Sequence, residues 1–298
     1  MTAHIYERSG FARALGFLFL SLIFFDLMSV QVRVLVQTRP AVELSAYRNL
    51  FGILPSLAVM FYRREVTLEK LWLDQWKLAL FRGVLVAGAQ LCLYTSLGFI
   101  ELATVSALEQ TNGLFIVLFS IVILRERVGP WRWAALGMGM IGALLIVRPG
   151  SVQFQWASLL PVAAALGYSS STVLVQLFDR KISTALIYVW GAVASAVASI
   201  ALVLATGGFQ PITSLNEGVM ILTMSLSGGV AVLFLMLAYR NASPASIAPF
   251  GYFAILTAFV FGWVFFGEAP IDTLFPGVVF IVAGGAIVIW RQRQNSED

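Results

Sequence analysis

The sequence is poor in charge, cysteine and histidine, and each shortage removes a class of protein. Only 11% of its 298 residues are Asp, Glu, Lys or Arg, whereas a soluble domain uses about a quarter to cover its surface. A soluble fold is excluded. A single cysteine, Cys92, rules out an intramolecular disulfide and a cysteine-based metal cluster. The single histidine, His4, lies in the N-terminal tail. Mechanisms built on a buried His, a His/Cys metal site or a Ser–His pair are therefore removed. No Gly-x-x-x-x-Gly-Lys-Ser/Thr loop is present, so no P-loop binds ATP. Neither a metal nor a cofactor is expected.

What the chain has in abundance is apolar sequence: 59% of it is hydrophobic, with a mean hydropathy of +0.88. Breaking it at charged or Gly/Pro-rich punctuation gives segments 11–35, 43–62, 77–99, 102–124, 131–148, 156–178, 184–205, 216–239, 244–266 and 272–290. A helix of about 20 such residues crosses a hydrocarbon core of about 30 Å. The runs are too long and too uniformly apolar for the ten-residue alternation of a β-barrel. An all-α integral membrane protein of ten transmembrane helices is expected. The first segment follows Arg8 and Arg13 like a signal peptide, but it is too long, and Asp26 interrupts it without a small-x-small site at its end. It reads as the first membrane helix.

Basic residues test this count, because Lys and Arg in short loops gather on the cytoplasmic side. With a cytoplasmic N-terminus, fourteen fall inside: Arg8, Arg13, Arg63, Arg64, Lys70, Lys77, Arg125, Arg127, Arg132, Arg180, Lys181, Arg240, Arg291 and Arg293. Only Arg39 and Arg148 fall outside. Losing one early helix would scramble that split, so ten helices and two cytoplasmic termini are expected in an inner (plasma) membrane.

An offset of 142 residues places Leu93 on Leu235, Ala103 on Ala245, Phe119 on Phe261, Glu126 on Glu268 and Gly142 on Gly284. Five helices per half is an odd number, so the second half enters the membrane upside down. This predicts an inverted repeat of residues 1–150 and 151–298, with the site near the midplane between them.

Particular motifs recur in both halves. In the first they are Glu101-Leu-Ala-Thr-Val-Ser-Ala-Leu, Leu124-Arg-Glu-Arg-Val, Trp131-Arg-Trp and Val147-Arg-Pro-Gly. In the second they are Ala242-Ser-Pro-Ala-Ser-Ile-Ala-Pro, Phe266-Gly-Glu-Ala-Pro and the helix from Asp272. With Asp26 and Tyr47-Arg48-Asn49, these make nearly the whole chain resemble an EamA-type member of the drug/metabolite transporter superfamily. The resemblance implies a ten-helix basket whose first four helices in each half surround a central cavity. Relatives carry amino acids, vitamins, nucleoside-like cofactors, siderophore-like compounds and drugs. Where relatives often have a proline before the acid ending the fourth and ninth helices, this chain has Gly113 and Ile255. A weaker helix distortion is expected there.

Charges inside a membrane are costly, on the order of 2.5–3.5 kcal/mol each on insertion scales, so the few present are candidates for function. They are Asp26, Arg33, Arg48, Arg82 and Glu109, all in the first half. Asp26 and Arg33 lie two turns apart on nearly one face. Arg48 and Glu109 lie at similar depths, so either Arg48 or Arg33 could pair with Glu109. Such a pair would either fix helix packing or bind a charged group of the substrate and exchange a proton. Arg82 is near the cytoplasmic end and reads mainly as a snorkelling side chain. Gln110 belongs to an unusually polar turn, and Tyr168 to a polar stripe on the sixth segment. Trp190 takes the repeat position of Arg48, and Tyr252 is an aromatic of the ninth segment; either could stack on a planar substrate or simply pack. Glu126 and Glu268 end helices and read as structural acids that accept from the N–H groups of the helix that follows.

The expected function is a secondary transporter that moves a small polar or zwitterionic metabolite across the inner membrane by alternating access, driven by a gradient. Export is the expected direction and uptake the alternative. The contrasting readings are a membrane enzyme acting on a lipid-linked substrate, and a passive channel. The expected partners are a small-molecule substrate and membrane lipid, with no nucleic acid, in a monomer or homodimer. On this charge pattern a fluorescent protein fused to the C-terminus should fluoresce, and a phosphatase active only outside the cytoplasm should stay silent. The reverse pattern would invert the orientation.

Overall fold

A lipid core offers no hydrogen bonds, so a backbone crossing it must satisfy itself, and a chain this apolar has the helix as its solution. The structure, a computed structural model, describes residues 2–62, 75–125, 130–147, 154–179, 184–241, 250–284 and 286–287. Among these residues there are helices and no strand. Each of the ten apolar segments carries helix in its described part. In chain order these are α1 (Thr2–Leu35), α2 (Ala41–Phe51), α3 (Leu54–Tyr62), α4 (Trp76–Ser96), α5 (Leu102–Glu109), α6 (Asn112–Leu124) and α7 (Pro130–Val147). They continue with α8 (Leu159–Leu174), α9 (Thr184–Ala205), α10 (Leu215–Asn241), α11 (Phe253–Phe266), α12 (Ile271–Leu274) and α13 (277–284).

Among the described residues, five stretches are long and apolar enough to cross a membrane: Phe11–Leu35, Trp76–Ser96, Leu102–Ile123, Trp156–Leu177 and Leu215–Leu235. Gly137–Val147, Val189–Ala205 and Phe253–Phe266 are apolar but shorter. Large side chains such as Val122, Leu204, Trp263 and Val264 project outward with more than half their surface exposed. Water would penalise such a surface, and lipid does not.

The fourth segment is broken between α5 and α6 at Gln110 and Thr111, although proline is missing. Thr111 N–H donates to the Leu108 carbonyl at 3.1 Å, Gly113 N–H to Gln110 at 3.3 Å, and Leu114 N–H to Thr111 at 3.0 Å. These three-residue spacings tighten the turn. The Thr111 hydroxyl also caps Leu108 at 2.7 Å. A similar break precedes α11 at Tyr252. At Gly113, where proline is missing, the helix is thus interrupted by tightened turns and a threonine hydroxyl.

Helices from the two ends of the chain interleave. α1 packs along α10 and against α11, α4 packs against α8 and α9, and α2 against α9 and α10. α5 meets α11 and α8, and α6 also meets α8. The tightest crossings use small residues, which let backbones approach where lipid supplies no hydrophobic drive. A Cβ on Gly229 of α10 would stand 2.2 Å from the Gly52 carbonyl oxygen, and one on Gly83 of α4 would stand 2.3 Å from Ala194 Cβ. The main core gathers Leu44, Tyr94, Leu97 and Met224 around these crossings.

Gly229→Ala should lower thermal stability by about 1–3 kcal/mol, the range for overpacking, because backbone must move. Gly88→Ala, whose Cβ meets nothing within 4 Å, should melt like the wild type in the same detergent. Equal melting of both variants would show that the α2–α10 crossing tolerates a wider spacing.

Candidate functional site: a charged cavity sealed at one end

Between the interleaved helices lies a cavity of about 440 Å³. Its charged lining comes from four helices: Asp26 on α1, Arg48 on α2, Arg82 on α4 and Glu109 at the end of α5. The neutral polar lining includes Asn49, Gln90, Gln110, Asn112 and Ser195, with the rings of Tyr94 and Tyr168 beside them.

A buried polar network holds this wall in place. Asn49 donates to Ser199 Oγ at 2.9 Å, Ser199 to the Ser195 carbonyl at 2.7 Å, and Ser195 to the Gly83 carbonyl at 2.9 Å. Ser45 Oγ joins it at Ser199 Oγ, 3.3 Å away, and donates to Gln90 Oε1 at 3.2 Å. Helices α2, α4 and α9 are thereby tied together beside the cavity.

Arg48 and Asp26 are not paired with each other. Among the described residues no carboxylate lies within ion-pairing distance of Arg48, whose Nη1 donates to Asn49 Oδ1 at 3.3 Å while its Nε has no acceptor. Arg82 Nε donates to the Ser171 carbonyl at 3.1 Å. Asp26 is 7% exposed, and its Oδ2 has no donor; Ser21 Oγ and Asn112 Oδ1 are likewise unpartnered. A buried polar atom without a partner costs about 1–3 kcal/mol. Four such atoms surround this one cavity.

Polar groups at the far end of the helices, away from the start of α1, behave differently. Arg33 forms an ion pair with Glu268, donates to the Ile100 carbonyl at 2.7 Å, and lies 4.8 Å from the centre of the Phe266 ring. Glu268 Oε2 also accepts from the Leu102 amide at 3.4 Å. Leu102 lines the cavity, so this pair sits directly over it. Burial pushes the Glu268 carboxyl up from its ordinary value, and Arg33 opposes the shift. Nearby, Arg39 Nη1 donates to Glu43 at 2.9 Å and its Nε to Glu217 at 2.5 Å. Arg39 also reaches the carbonyls of Gln210 and Pro211 at 3.1 and 2.8 Å. Arg39 and Glu43 are buried. Both clusters join the N-terminal to the C-terminal part of the chain and close that end.

Of the residues singled out in the sequence, Asp26, Arg48, Glu109, Gln110 and Tyr168 meet at the cavity. Arg33 does not. Neither expected pairing with Glu109 forms, because Arg33 lies far enough along α1 to reach the loop after α11 instead. Trp190 packs with Ala79 and Phe178, and Tyr252 lines a separate apolar groove beside Val278 and Val282. Glu268 does accept from a helix N-terminus, but from that of α5, not from the helix that follows it. Glu126 lies outside the described residues. Arg82, read as a snorkelling side chain, faces the cavity. Its signal was present: Arg82, Val86, Gln90 and Leu93 share one face at helical spacing, and all four line the cavity. Gln90 and Ser195 were passed over because a lone neutral polar residue in an apolar run carries little signal.

A helical membrane protein with a polar cavity among its helices and a seal of ion pairs at one end belongs to the class of multi-pass transporters. Residues 12–148 match the EamA-like transporter family. The chain resembles that family over this stretch, and the curated proteins it matches are named as transporters. The riboflavin transporter of Rhizobium johnstonii is 34% identical over 63% of this chain and 62% of its own length. The pseudopaline exporter CntI of Pseudomonas aeruginosa is 27% identical over 89% of each chain. The S-adenosylmethionine uptake transporter of Rickettsia felis is 21% identical over 94% of this chain and 93% of its own. A solved crystal structure superposes with a TM-score of 0.65 at 19% identity over 95% of this chain and 98% of the other, so the fold is shared.

Removing Arg39 would leave Glu43, 1% exposed, without its cation. Breaking one side of a buried pair costs on the order of 3–5 kcal/mol. Arg39→Ala should therefore melt well below the wild type, and Glu43→Gln combined with it should recover part of the loss. Wild-type melting of the single variant would make the cluster a surface feature.

Proposed function

We propose that this chain is a secondary transporter of ten membrane helices that carries a small zwitterionic metabolite by alternating access. The observation that carries this reading is the presence of both signs of charge in the cavity. Arg48, Arg82, Asp26 and Glu109 all line it, and among the described residues no ion pair joins Arg48 to either acid. A ligand bearing both a carboxylate and an ammonium group matches such a site, and an amino acid or a nucleoside-like compound of that kind fits the volume. The carboxylates also serve as proton carriers that couple transport to a gradient.

The packing supports an inverted repeat of residues 1–150 and 151–298. Exchange of α1 with α8, α2 with α9, α4 with α10, and α5 and α6 with α11 turns the contact of α1 with α10 into that of α8 with α4. The same exchange turns α2 with α10 into α9 with α4, and α1 with α11 into α8 with α5 and α6. The contacts of α2 with α9 and of α5 with α11 map onto themselves. Two halves related in this way rock about the shared cavity. The ion pairs of Arg33 and Arg39 then hold the far end shut, and that end faces away from the cytoplasm when both termini are cytoplasmic in the inner membrane. Export is the proposed direction. The exporter named above is matched over 89% of its length at 27% identity, and the uptake transporter over 93% at 21%.

Purified protein in liposomes should show saturable counterflow with at least one member of a panel of amino acids, riboflavin and S-adenosylmethionine. Arg48→Ala and Glu109→Gln should each abolish it while leaving the melting temperature unchanged. Wild-type rates in both variants would reduce these charges to packing.

A further inference from the structure

Two acids of the cavity lie near each other, and among the described residues neither has a cation beside it. Asp26 on α1 and Glu109 at the end of α5 both line the cavity, and the Glu109 charge acts on the Asp26 carboxyl through space. Thr257 of α11 lies within hydrogen-bonding reach of that carboxyl. Asp26 is nonetheless 7% exposed, with an Oδ2 that has no donor. Glu109 makes no ion pair with any described residue. Elsewhere the chain treats its acids differently: Glu43, Glu217 and Glu268 each hold an arginine.

The backbone adds to the negative side. α5 ends at Glu109, and the helix breaks at Gln110 and Thr111 before α6 begins. The C-terminal end of a helix carries partial negative charge, and interrupted membrane helices place such ends at cation sites. Asn112, three residues after Glu109, opens α6 and lines the same cavity with a buried Oδ1 that has no donor. Two carboxylates and an amide oxygen make an all-oxygen donor set. Among the described residues no group of three or more His, Cys, Asp or Glu assembles to hold a metal. The set therefore suits a cation of single charge better than a divalent or transition metal. Like charges held out of water near each other are costly, and a cation between them offsets both the repulsion and the lost hydration.

We propose that Asp26, Glu109 and Asn112 form a subsite for a small monovalent cation, either the ammonium group of the cargo or a free alkali ion. The carboxylate oxygens and Asn112 Oδ1 take the place of the water that such a cation leaves behind. The subsite deepens the transporter reading and rests on it only in treating the cation as cargo or as the ion that travels with it.

The test melts the full-length protein in detergent in sodium chloride, methylammonium chloride or N-methyl-D-glucamine chloride at equal ionic strength, the last serving as the bulky control. Sodium or methylammonium should raise the melting temperature by about 3–5 °C at ten times its dissociation constant. A larger rise with methylammonium assigns the subsite to an ammonium group, and a larger rise with sodium assigns it to an alkali ion. Asp26→Asn and Glu109→Gln should each abolish the difference between salts. Asn112→Leu should raise the half-effective cation concentration about tenfold, the factor for one lost contact to a charge. Glu217→Gln, which removes an acid at the far end, should keep the difference. Identical melting of the wild type in all three salts, or a difference that survives in both acid variants, would overturn the subsite. If those variants fail to fold, the wild type decides through dicyclohexylcarbodiimide, which labels carboxyl groups in apolar surroundings. The stabilising salt should slow labelling of Asp26 and Glu109, read by mass spectrometry, and equal labelling in all three salts overturns the subsite. A salt difference that remains when counterflow fails removes only the transport reading, and counterflow without a salt difference removes only the subsite.

Discussion

Every hydrogen-bonding group that enters the lipid core must find its partner inside the protein, and this constraint shapes the fold from backbone to site. It makes the segments helical and draws small residues to the crossings, as at Gly229 on Gly52 and Gly83 on Ala194. It also decides where polar side chains are tolerated. The serines on α8, α9 and α10 turn back on their own helices, as Ser169, Ser199 and Ser225 do toward carbonyls four residues earlier. Most of the polar stripe on α8 is absorbed in this way, which leaves Tyr168 as its contribution to the cavity.

The charged groups divide into two populations under the same constraint. At the far end, Arg33 with Glu268 and Arg39 with Glu43 and Glu217 are paired and bonded to carbonyls, so their burial is offset locally. Around the cavity, Arg48, Asp26 and Asn112 retain unpartnered atoms. A paired cluster holds two parts of a chain together; in the proposed function the unpartnered atoms are the ones that meet the cargo. In the proposed transport cycle the first population must break and the second must fill, so the energetic balance between them sets when the far end opens.

How far the site was legible depended on the kind of residue. Asp26, Arg48 and Glu109 stood out because a charge in an apolar run is conspicuous and costly. Their meeting at one cavity was not written in their spacing, since they lie on three helices that approach one another only after packing. Arg33 looked the same in sequence and went elsewhere, because its position along α1 brings it to the loop after α11. Trp190 and Tyr252 were chosen as aromatics, and aromatic rings serve packing and recognition with the same chemistry.

The sequence by itself determined the helical membrane class, the positions of the apolar segments and the small set of charges worth explaining. All three follow from local composition and the fixed thickness of a bilayer. Tertiary structure alone decided which charges pair. Arg33 and Arg39 were drawn into ion pairs with distant acids, Arg48 and Arg82 came to line a cavity, and the polar turn at Gln110 became a break between helices. The physical reason is range: apolar burial is read along a few helical turns, whereas an ion pair forms only between groups within about 4 Å, and residues as distant as Arg33 and Glu268 are brought that close only by packing of the whole chain.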